Sequence, residues 1–287
     1  MPHTTLISTA DLADNLASGW MIADCRYDLQ RDAWGEEQYL AGHIPGATYV
    51  SLSSHLSASP TGANGRHPLP SQGVMATTFG ALGISADAQV VVYDQDGGMY
   101  ASRLWWMLRY AGHMNVAVLD GGWAKWVAEQ RPTRSGKESR PAVTFTPRWN
   151  ADWHVELDRV TAMYRTGDTL LLDARAPERY EGRVEPLDRV PGHIPGAANH
   201  PYRTNLASDN TMLPAEALRE QFRQELQGHT PAQTLMYCGS GVSACHNLLA
   251  MEYAGLPGAR LYVGSWSEWS ADPQRPVETG PARPRSG

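Results

Sequence analysis

The sequence predicts an α/β protein made of two tandem domains, each a parallel β-sheet flanked by helices on both faces. Two observations support this prediction. Four short segments occur twice in the same order along the 287-residue chain. Within each copy, short β-rich runs alternate with helical stretches, which is typical of parallel sheets with helical crossovers. The copies are offset by about 145 residues, a domain length that is too long for one unit of a solenoid.

The repeated segments follow one another in a fixed order. Each copy opens with an apolar strand ending in Asp-x-Arg, which is followed by a Gly-His-Ile-Pro-Gly turn. A second strand then precedes a helical run, and a final segment ends in tryptophan. The corresponding ranges of the four segments in the first and second copy are 22–26 and 171–175, 41–47 and 191–197, 90–93 and 234–237, and 118–123 and 262–266. The helical runs that follow the second strand are 101–110 and 243–254.

The region between the copies has the composition of a linker. Residues 131–141 are polar, contain proline and glycine, and show no apolar periodicity. We therefore predict domains at 1–130 and 151–287 with a linker at 131–150. Ligands of parallel sheets bind at the carboxyl ends of the strands, where Cys238 lies.

Composition and charge disfavour several functional classes. The chain is 42% hydrophobic and 19% charged, as in ordinary globular proteins, and its net charge of −6 disfavours nucleic acid or an anionic membrane as partner. No apolar run approaches the roughly 20 residues that span a bilayer, and residues 1–7 show no export signal. Three cysteines cannot form a disulfide framework. A reducing, cytoplasmic location is therefore expected.

Cys238 is the strongest candidate for chemistry. It follows an apolar strand and begins the loop Cys238-Gly239-Ser240-Gly241-Val242-Ser243, after which a helix is predicted. The loop N–H groups and the helix N-terminus can converge on one sulfur and favour its thiolate form. The two glycines allow the backbone to wrap closely around an anion. The alternative is a buried structural cysteine.

The repeat provides an internal comparison, because features present in both copies are expected to serve the fold. By this reasoning His193 of the repeated turn is structural, and so are Arg26 and Arg175, which occupy matching positions. Cys238 has no counterpart, since Asp94 occupies its position in the first copy. A carboxylate cannot act as a soft sulfur nucleophile, so the first domain is predicted to be catalytically silent.

One arginine also distinguishes the second copy. Arg179 aligns with Gln30 when the copies are matched from their Asp-x-Arg segments. A cation near an active thiolate fits an anionic substrate. The alternative is a solvated surface arginine.

Other classes of protein fit the loop less well. A cysteine phosphatase usually needs arginine at position 244, which is Ala244 here. A non-catalytic binding module would be expected to lose the cysteine, as the first copy has done. A redox pair with Cys245 is disfavoured because that residue falls inside the predicted helix. No metal or cofactor is expected, since the ten histidines form no ligand-spaced cluster.

These features together resemble the tandem-domain rhodanese superfamily of sulfurtransferases over essentially the whole chain. The resemblance rests on both Gly-His-Ile-Pro-Gly turns, the silent first copy, the Cys238 loop and the Gly-Ser-Trp-Ser-Glu-Trp run at 264–269. The loop looks like the 3-mercaptopyruvate type, because the thiosulfate type usually carries basic residues directly after the cysteine. The resemblance implies two rhodanese-like domains and transfer of sulfane sulfur through a persulfide.

The resemblance also implies roles for individual residues. Cys238 matches the persulfide-forming nucleophile, Ser240 a loop serine that relays a proton, and Arg179 an arginine that binds the donor carboxylate. His43 and Asp32 fall at the positions of a His/Asp pair proposed to assist the serine. For His43 this competes with a structural role in the repeated turn. The remaining loop residues, expected to line the substrate site, are Gly239, Gly241, Val242 and Ser243.

Donor and acceptor are expected from the same resemblance. A small anionic donor, 3-mercaptopyruvate or alternatively thiosulfate, would pass sulfur to thioredoxin, another thiol or cyanide. Some 3-mercaptopyruvate enzymes carry a second carboxylate-binding arginine seven residues before the turn histidine, and that position is Pro186 here. Arg183 or Arg189 is expected to replace it, or the clamp is weaker.

Overall fold

The structure is a computed structural model that describes residues 2–95 and 97–281. Met1, Asp96 and residues 282–287 lie outside the described residues, and with them the outer limits of the predicted domains. The chain forms two compact units. The first comprises Met1–Ala58, Pro70–Asn150 and Leu206–Met212, and the second comprises Ser59–Leu69, Ala151–Asn205 and Leu213–Gly287. The predicted domains differ from these units at two short segments. Domain 1–130 includes Ser59–Leu69, which is grouped with the second unit, and domain 151–287 includes Leu206–Met212, which is grouped with the first.

The first unit is built on a five-stranded sheet whose paired strands are all parallel. Its strands are β1 (Leu6–Ile7), β2 (Met21–Asp24), β3 (Ala47–Tyr49), β4 (Val90–Tyr93) and β5 (Val116–Leu119), in the order β1-β5-β4-β2-β3. Its helices are α1 (Thr9–Asp14), α2 (Trp34–Ala41), α3 (Gln72–Ala81), α4 (Ala101–Tyr110) and α5 (Gly122–Ala128). Every residue of β2, β4 and β5 is buried, as expected of a parallel sheet covered on both faces.

The second unit repeats this plan on a smaller scale. Its parallel strands are β6 (Leu170–Asp173), β7 (Ala198–Asn199), β8 (Thr234–Tyr237) and β9 (Arg260–Leu261), in the order β7-β6-β8-β9. Its helices are α6 (Leu157–Met163), α7 (Pro177–Tyr180), α8 (Ala215–Leu226), α9 (Ser243–Tyr253) and α10 (Ser265–Trp269). The predicted α/β class with two parallel-sheet domains is confirmed. Among the described residues, no helix has the length and apolar character needed to cross a membrane.

The segment predicted as a linker runs along the first unit. Residues 131–150 contain no helix or strand, but their backbone pairs with it at several points. Val143 donates to the carbonyl of Gly80, and Arg148 donates to that of Ala111. Phe145 is 8% exposed and packs edge-on against a buried phenylalanine of α3. The segment is therefore ordered against a domain while remaining without regular secondary structure.

The repeated Asp-x-Arg segments form the same buried ion pair in each unit. Arg175 Nη2 lies 2.6 Å from Asp173 Oδ2 and 2.7 Å from the carbonyl of Gly192 in the repeated turn. Its guanidinium carbon lies 5.0 Å from the ring centroid of Trp266. The first unit repeats all three contacts with Arg26, Asp24, Gly42 and Trp123. Three of the repeated sequence segments thus meet at one point, as expected of residues that serve the fold.

The histidines of the repeated turns are held in the same way. His193 Nδ1 lies 2.7 Å from the carbonyl oxygen of Tyr180, and the two rings stack with centroids 3.7 Å apart. His43 Nδ1 lies 2.8 Å from the carbonyl oxygen of Tyr39 and stacks on that ring. These contacts fit the structural role that the repeat predicts for His193.

Asp94 fills the loop that corresponds to the Cys238 loop. Its Oδ1 accepts a hydrogen bond from Gly98 N–H at 2.8 Å, and its Oδ2 accepts from Tyr100 and Ala101 N–H at 2.6 and 2.9 Å. The carboxylate is fully buried. The carboxylate of Asp94 therefore supplies the acceptor that these three converging N–H groups of the first unit need.

We predict that Asp94→Ala destabilises the first unit by at least about 2 kcal/mol, because three buried N–H groups lose their acceptor. Asp94→Asn, which keeps one acceptor oxygen, should lose less. Urea unfolding measures both effects. Asp14→Ala, at an exposed position of α1, is the matched control, and equal unfolding midpoints for Asp94→Ala and this control would contradict the prediction.

Candidate active site

Cys238 lies directly after β8 and before α9, at the carboxyl edge of the second sheet. The loop carbonyls of Cys238 and Gly239 accept hydrogen bonds from the N–H groups of Trp266 and Ser267 at the start of α10, both at 2.9 Å. Gly241 has φ +72°, and a Cβ there would lie 2.4 Å from the carbonyl oxygen of Val263. Only glycine fits this turn. The carbonyls are thereby committed to α10, which leaves loop N–H groups for the sulfur.

Three hydrogen bonds favour the thiolate of Cys238. Burial alone raises the pKa of a thiol, because it penalises the charged form. The hydroxyl of Ser243 and the N–H groups of Ala244 and Ser240 outweigh burial and lower the pKa of Cys238 below its ordinary value. Ser243 and Ala244 are the first residues of α9, so the helix dipole acts in the same direction. The loop therefore stabilises an anion on this sulfur.

The other two cysteines lie in different surroundings. Cys25 is 1% exposed, and burial together with Asp24 and Asp94 raises the pKa of its thiol well above the ordinary value. Cys245 is fully buried, and its thiol lies 3.2 Å from the carbonyl oxygen of Gly241. All three cysteines carry thiols and form no disulfide in the described residues. The pKa is thus lowered for Cys238 and raised for Cys25.

Ser240 is paired with a histidine that sequence reasoning missed. His67 Nδ1 lies 2.8 Å from Ser240 Oγ, and both residues are less than 10% exposed. A serine hydroxyl and an imidazole at this distance can exchange a proton. His67 belongs to the segment Ser59–Leu69, which the contacts assign to the second unit. One signal was available, because residues 50–71 join β3 to α3 without helix or strand, and such long loops are often functional.

The residues His43 and Asp32, which were predicted to assist Ser240, lie in the first unit. His43 is fully buried, with Nε2 3.5 Å from Glu138 Oε1. Asp32 Oδ1 accepts a hydrogen bond of 2.6 Å from Ser53 Oγ. Their assignment to catalysis stays a prediction. The imidazole within hydrogen-bonding distance of Ser240 Oγ belongs to His67.

Arg179 lies beside the loop but is paired with carboxylates. Its Nη2 lies 2.6 Å from Glu185 Oε1 and 3.0 Å from Asp188 Oδ2. Its Nη1 and Nη2 are each 3.6 Å from the point that a Cβ on Gly239 would occupy. Arg179 therefore lies close to the Cys238 loop, as its predicted role requires. The two acidic partners were not anticipated, since nothing in their spacing distinguishes them from solvated surface residues.

The two arginines suggested as replacements at the Pro186 position both lie at the surface. Arg183 is 62% exposed and pairs with Glu181 at 2.6 Å. Arg189 is exposed.

Across residues 2–95 and 97–281, no group of three or more His, Cys, Asp or Glu side chains is arranged to hold a metal ion.

Comparison with known proteins identifies the family. The rhodanese-like domain family matches residues 8–129 and 156–272. The chain belongs to this family. The tandem arrangement predicted from the repeat is thereby confirmed, with one copy of the domain in each half of the chain.

Similar proteins match over nearly the whole chain. "Probable 3-mercaptopyruvate sulfurtransferase" of Pseudomonas aeruginosa is 41% identical over 283 residues, which cover 98% of this chain and 100% of that protein. "Putative thiosulfate sulfurtransferase SseB" of Mycobacterium tuberculosis is 41% identical over 280 residues, which cover 96% and 98%. The structure of 3-mercaptopyruvate sulfurtransferase from Leishmania major has a TM-score of 0.83 at 30% identity, with 94% of this chain and 75% of that chain covered.

We predict that Ser243→Ala raises the pKa of Cys238, because the thiolate loses the hydroxyl hydrogen bond. Alkylation by iodoacetamide, followed at the Cys238 peptide by mass spectrometry, should move to higher pH. At pH values below the midpoint the rate should fall about tenfold. Ser243→Thr keeps the hydroxyl and should stay near wild type, and the buried Cys25 serves as the internal reference. Identical pH curves for wild type and Ser243→Ala would contradict the assignment.

Proposed function

We propose that this protein is a sulfurtransferase that takes sulfane sulfur from 3-mercaptopyruvate and passes it to a thiol or to cyanide through a persulfide on Cys238. The observation that carries the proposal is the convergence on one sulfur of the Ser243 hydroxyl and two backbone N–H groups, next to the Ser240–His67 pair. The names of the relatives support the enzyme class. Both named donors occur among them, so the choice of donor depends on the site.

The first half-reaction uses the thiolate of Cys238 as nucleophile. It attacks the sulfur of 3-mercaptopyruvate, an S–S bond forms, and the C–S bond breaks with its electron pair moving to the carbon. The departing group is the enolate of pyruvate, which becomes pyruvate on gaining a proton. Ser240 supplies that proton and regains one from His67. The persulfide remains in the loop, where its charge is stabilised by the preorganised N–H groups.

The second half-reaction returns Cys238 to its starting state. The thiolate of an acceptor, or cyanide, attacks the outer sulfur of the persulfide, and the inner sulfur leaves as the Cys238 thiolate. Two successive half-reactions with a covalent intermediate predict ping-pong kinetics. A small thiol or thioredoxin fits this step, and three cysteines that carry thiols fit a reducing, cytoplasmic location.

The charges around the loop favour 3-mercaptopyruvate over thiosulfate. The cations of this network are matched in number by buried or half-buried carboxylates, so it offers little net positive charge to a dianion. The paired groups are Arg66, Arg175 and Arg179 with Asp173, Glu185 and Asp188. Thiosulfate carries two charges and releases sulfite, a stable anion that needs no proton. A singly charged donor whose leaving group does need a proton makes better use of the Ser240–His67 pair.

Cys238→Ser should abolish sulfur transfer while the chain stays folded, because the hydroxyl is not ionised at neutral pH. Mass spectrometry of the wild type after donor addition should find one extra sulfur on the Cys238 peptide. Cys25→Ser is the matched control and should retain activity. Sulfur on Cys25 instead, or full activity in Cys238→Ser, would overturn the proposal.

Ser240→Ala and His67→Gln should each lower kcat with 3-mercaptopyruvate by roughly a hundredfold, the usual contribution of general acid catalysis. Their rates with thiosulfate should stay within about threefold of wild type, because sulfite leaves without a proton. Steady-state kinetics with both donors on the same preparation measures this difference. An equal loss with both donors would argue for a structural role of the pair, and a wild-type preference for thiosulfate would refute the proposed donor.

A further inference from the structure

Ser265, the first residue of α10, has a backbone conformation that residues with a side chain rarely adopt. Its φ is +54°, in the left-handed region, and the residue is fully buried. For any residue except glycine this region costs conformational energy, and such strain persists where the surrounding structure requires it. Among the described residues, the other non-glycine positions with positive φ are exposed or half-buried, and they are Gln130, Asn210 and Gln227.

The first unit has a glycine at the corresponding position. Gly122 begins α5, precedes Trp123 and has φ +53°. The N–H of Trp123 donates to the carbonyl of Asp94 at 2.9 Å. Trp266 and Cys238 form the same hydrogen bond in the second unit, also at 2.9 Å. The backbone turn is thus common to both units and is made without a side chain in the first, so the turn alone does not explain a serine in the second.

The hydroxyl of Ser265 explains it, because this group bonds to the backbone of Cys238. Its Oγ accepts a hydrogen bond from the N–H of Cys238 at 3.1 Å and donates to the carbonyl oxygen of Tyr262 at 2.9 Å. The N–H of Tyr262 donates to the carbonyl of Met236 at 2.9 Å. In a regular parallel ladder the next bond would join Cys238 N–H directly to the Tyr262 carbonyl. The hydroxyl is therefore inserted into the ladder where β8 ends.

Two consecutive residues of α10 hold both backbone groups of Cys238. Ser265 Oγ binds its N–H, and Trp266 N–H binds its carbonyl. The groups that hydrogen-bond its sulfur come from elsewhere, namely from the loop and from the first turn of α9. Hydrogen bonds weaken steeply with distance and angle, so the sulfur accepts from all of them only while the Cys238 backbone keeps this position.

We propose that Ser265 is a positioning residue for the nucleophile, whose hydroxyl fixes the Cys238 backbone so that the sulfur meets the loop donors as thiolate and as persulfide. This inference rests on the proposed function and assigns a further residue to it. The left-handed conformation directs the hydroxyl to Cys238. A glycine would form the same turn without strain, but the Cys238 N–H and the Tyr262 carbonyl would lose the group that joins them.

Ser265→Gly separates the hydroxyl from the fold, because the first unit forms this turn with glycine. It should lower the rate constant of persulfide formation at saturating 3-mercaptopyruvate about tenfold and change KM by less than about twofold. Iodoacetamide alkylation of Cys238 should move to higher pH, because the sulfur loses its alignment with the loop donors. Ser265→Ala should show the same losses and a urea midpoint no higher than that of Ser265→Gly, because it keeps the strain.

Ser270→Ala is the matched control. Ser270 is a buried serine directly after α10, and its Oγ donates to the carbonyl of Trp266 at 2.7 Å. Loss of this hydrogen bond weakens the helix while the Cys238 N–H keeps its acceptor. The rate constant of persulfide formation and the alkylation curve of Ser270→Ala should therefore stay near wild type. Ser265→Ala covers the case in which Ser265→Gly fails to fold.

The outcomes separate this inference from the proposed function. A wild-type rate constant and alkylation curve in a folded Ser265→Gly would overturn the role of Ser265, and so would equal losses in Ser270→Ala or a loss confined to KM. Failure of the wild type to form a persulfide with either donor would refute the proposed function. The alkylation curves of the three variants would in that case still decide whether Ser265 positions the Cys238 thiolate.

Discussion

The buried pair between Asp173 and Arg175 is the interaction on which the second unit depends. Two charges removed from water are tolerated only when nearly every donor and acceptor is satisfied. Arg175 meets this demand through the carboxylate, through the carbonyl of Gly192 and by lying over a tryptophan of α10. In the sheet register Asp173 lies opposite Tyr237, so the next residue along that strand is Cys238. The Asp173–Arg175 pair therefore fixes the position of Cys238.

The two units share one scaffold but differ in the group that their loop N–H groups bind. Both carry the buried pair and the turn, yet in the first unit the loop N–H groups are occupied by the carboxylate of Asp94. In the second unit the sulfur of Cys238 occupies the corresponding position, and the Asp173–Arg175 pair is connected to further ion pairs. Arg175 Nη1 lies 3.3 Å from Glu185, whose other contacts lead through Arg179 to Asp188. The buried Asp173–Arg175 pair is common to both units, whereas the ion pairs that connect it to the Cys238 loop occur in the second unit.

Sequence patterns predict the parts of this arrangement that local order determines. The repeat, the strand–helix alternation and the glycine loop identify both sheets and Cys238, because each is encoded within a few neighbouring residues. Ser240 and His67, in contrast, are 173 residues apart, and no periodicity in a single sequence relates them. Nor does any periodicity relate Arg66 to its partner Asp188. Arg179 was predicted near the loop, but its acidic partners were not, since pairing depends on how residues 181–191 turn.

In the proposed function, different groups stabilise the sulfur and recognise the donor. Hydrogen bonds from Ser243 and the loop N–H groups act on Cys238 through dipoles, which add no net charge and suit thiolate and persulfide alike. The arginines, already neutralised by carboxylates, keep directional N–H groups instead of a strong positive field. Such a site discriminates by the geometry of hydrogen bonds more than by total charge. This is the basis of the proposed preference for a planar, singly charged carboxylate over a dianion, without a basic residue in the loop itself.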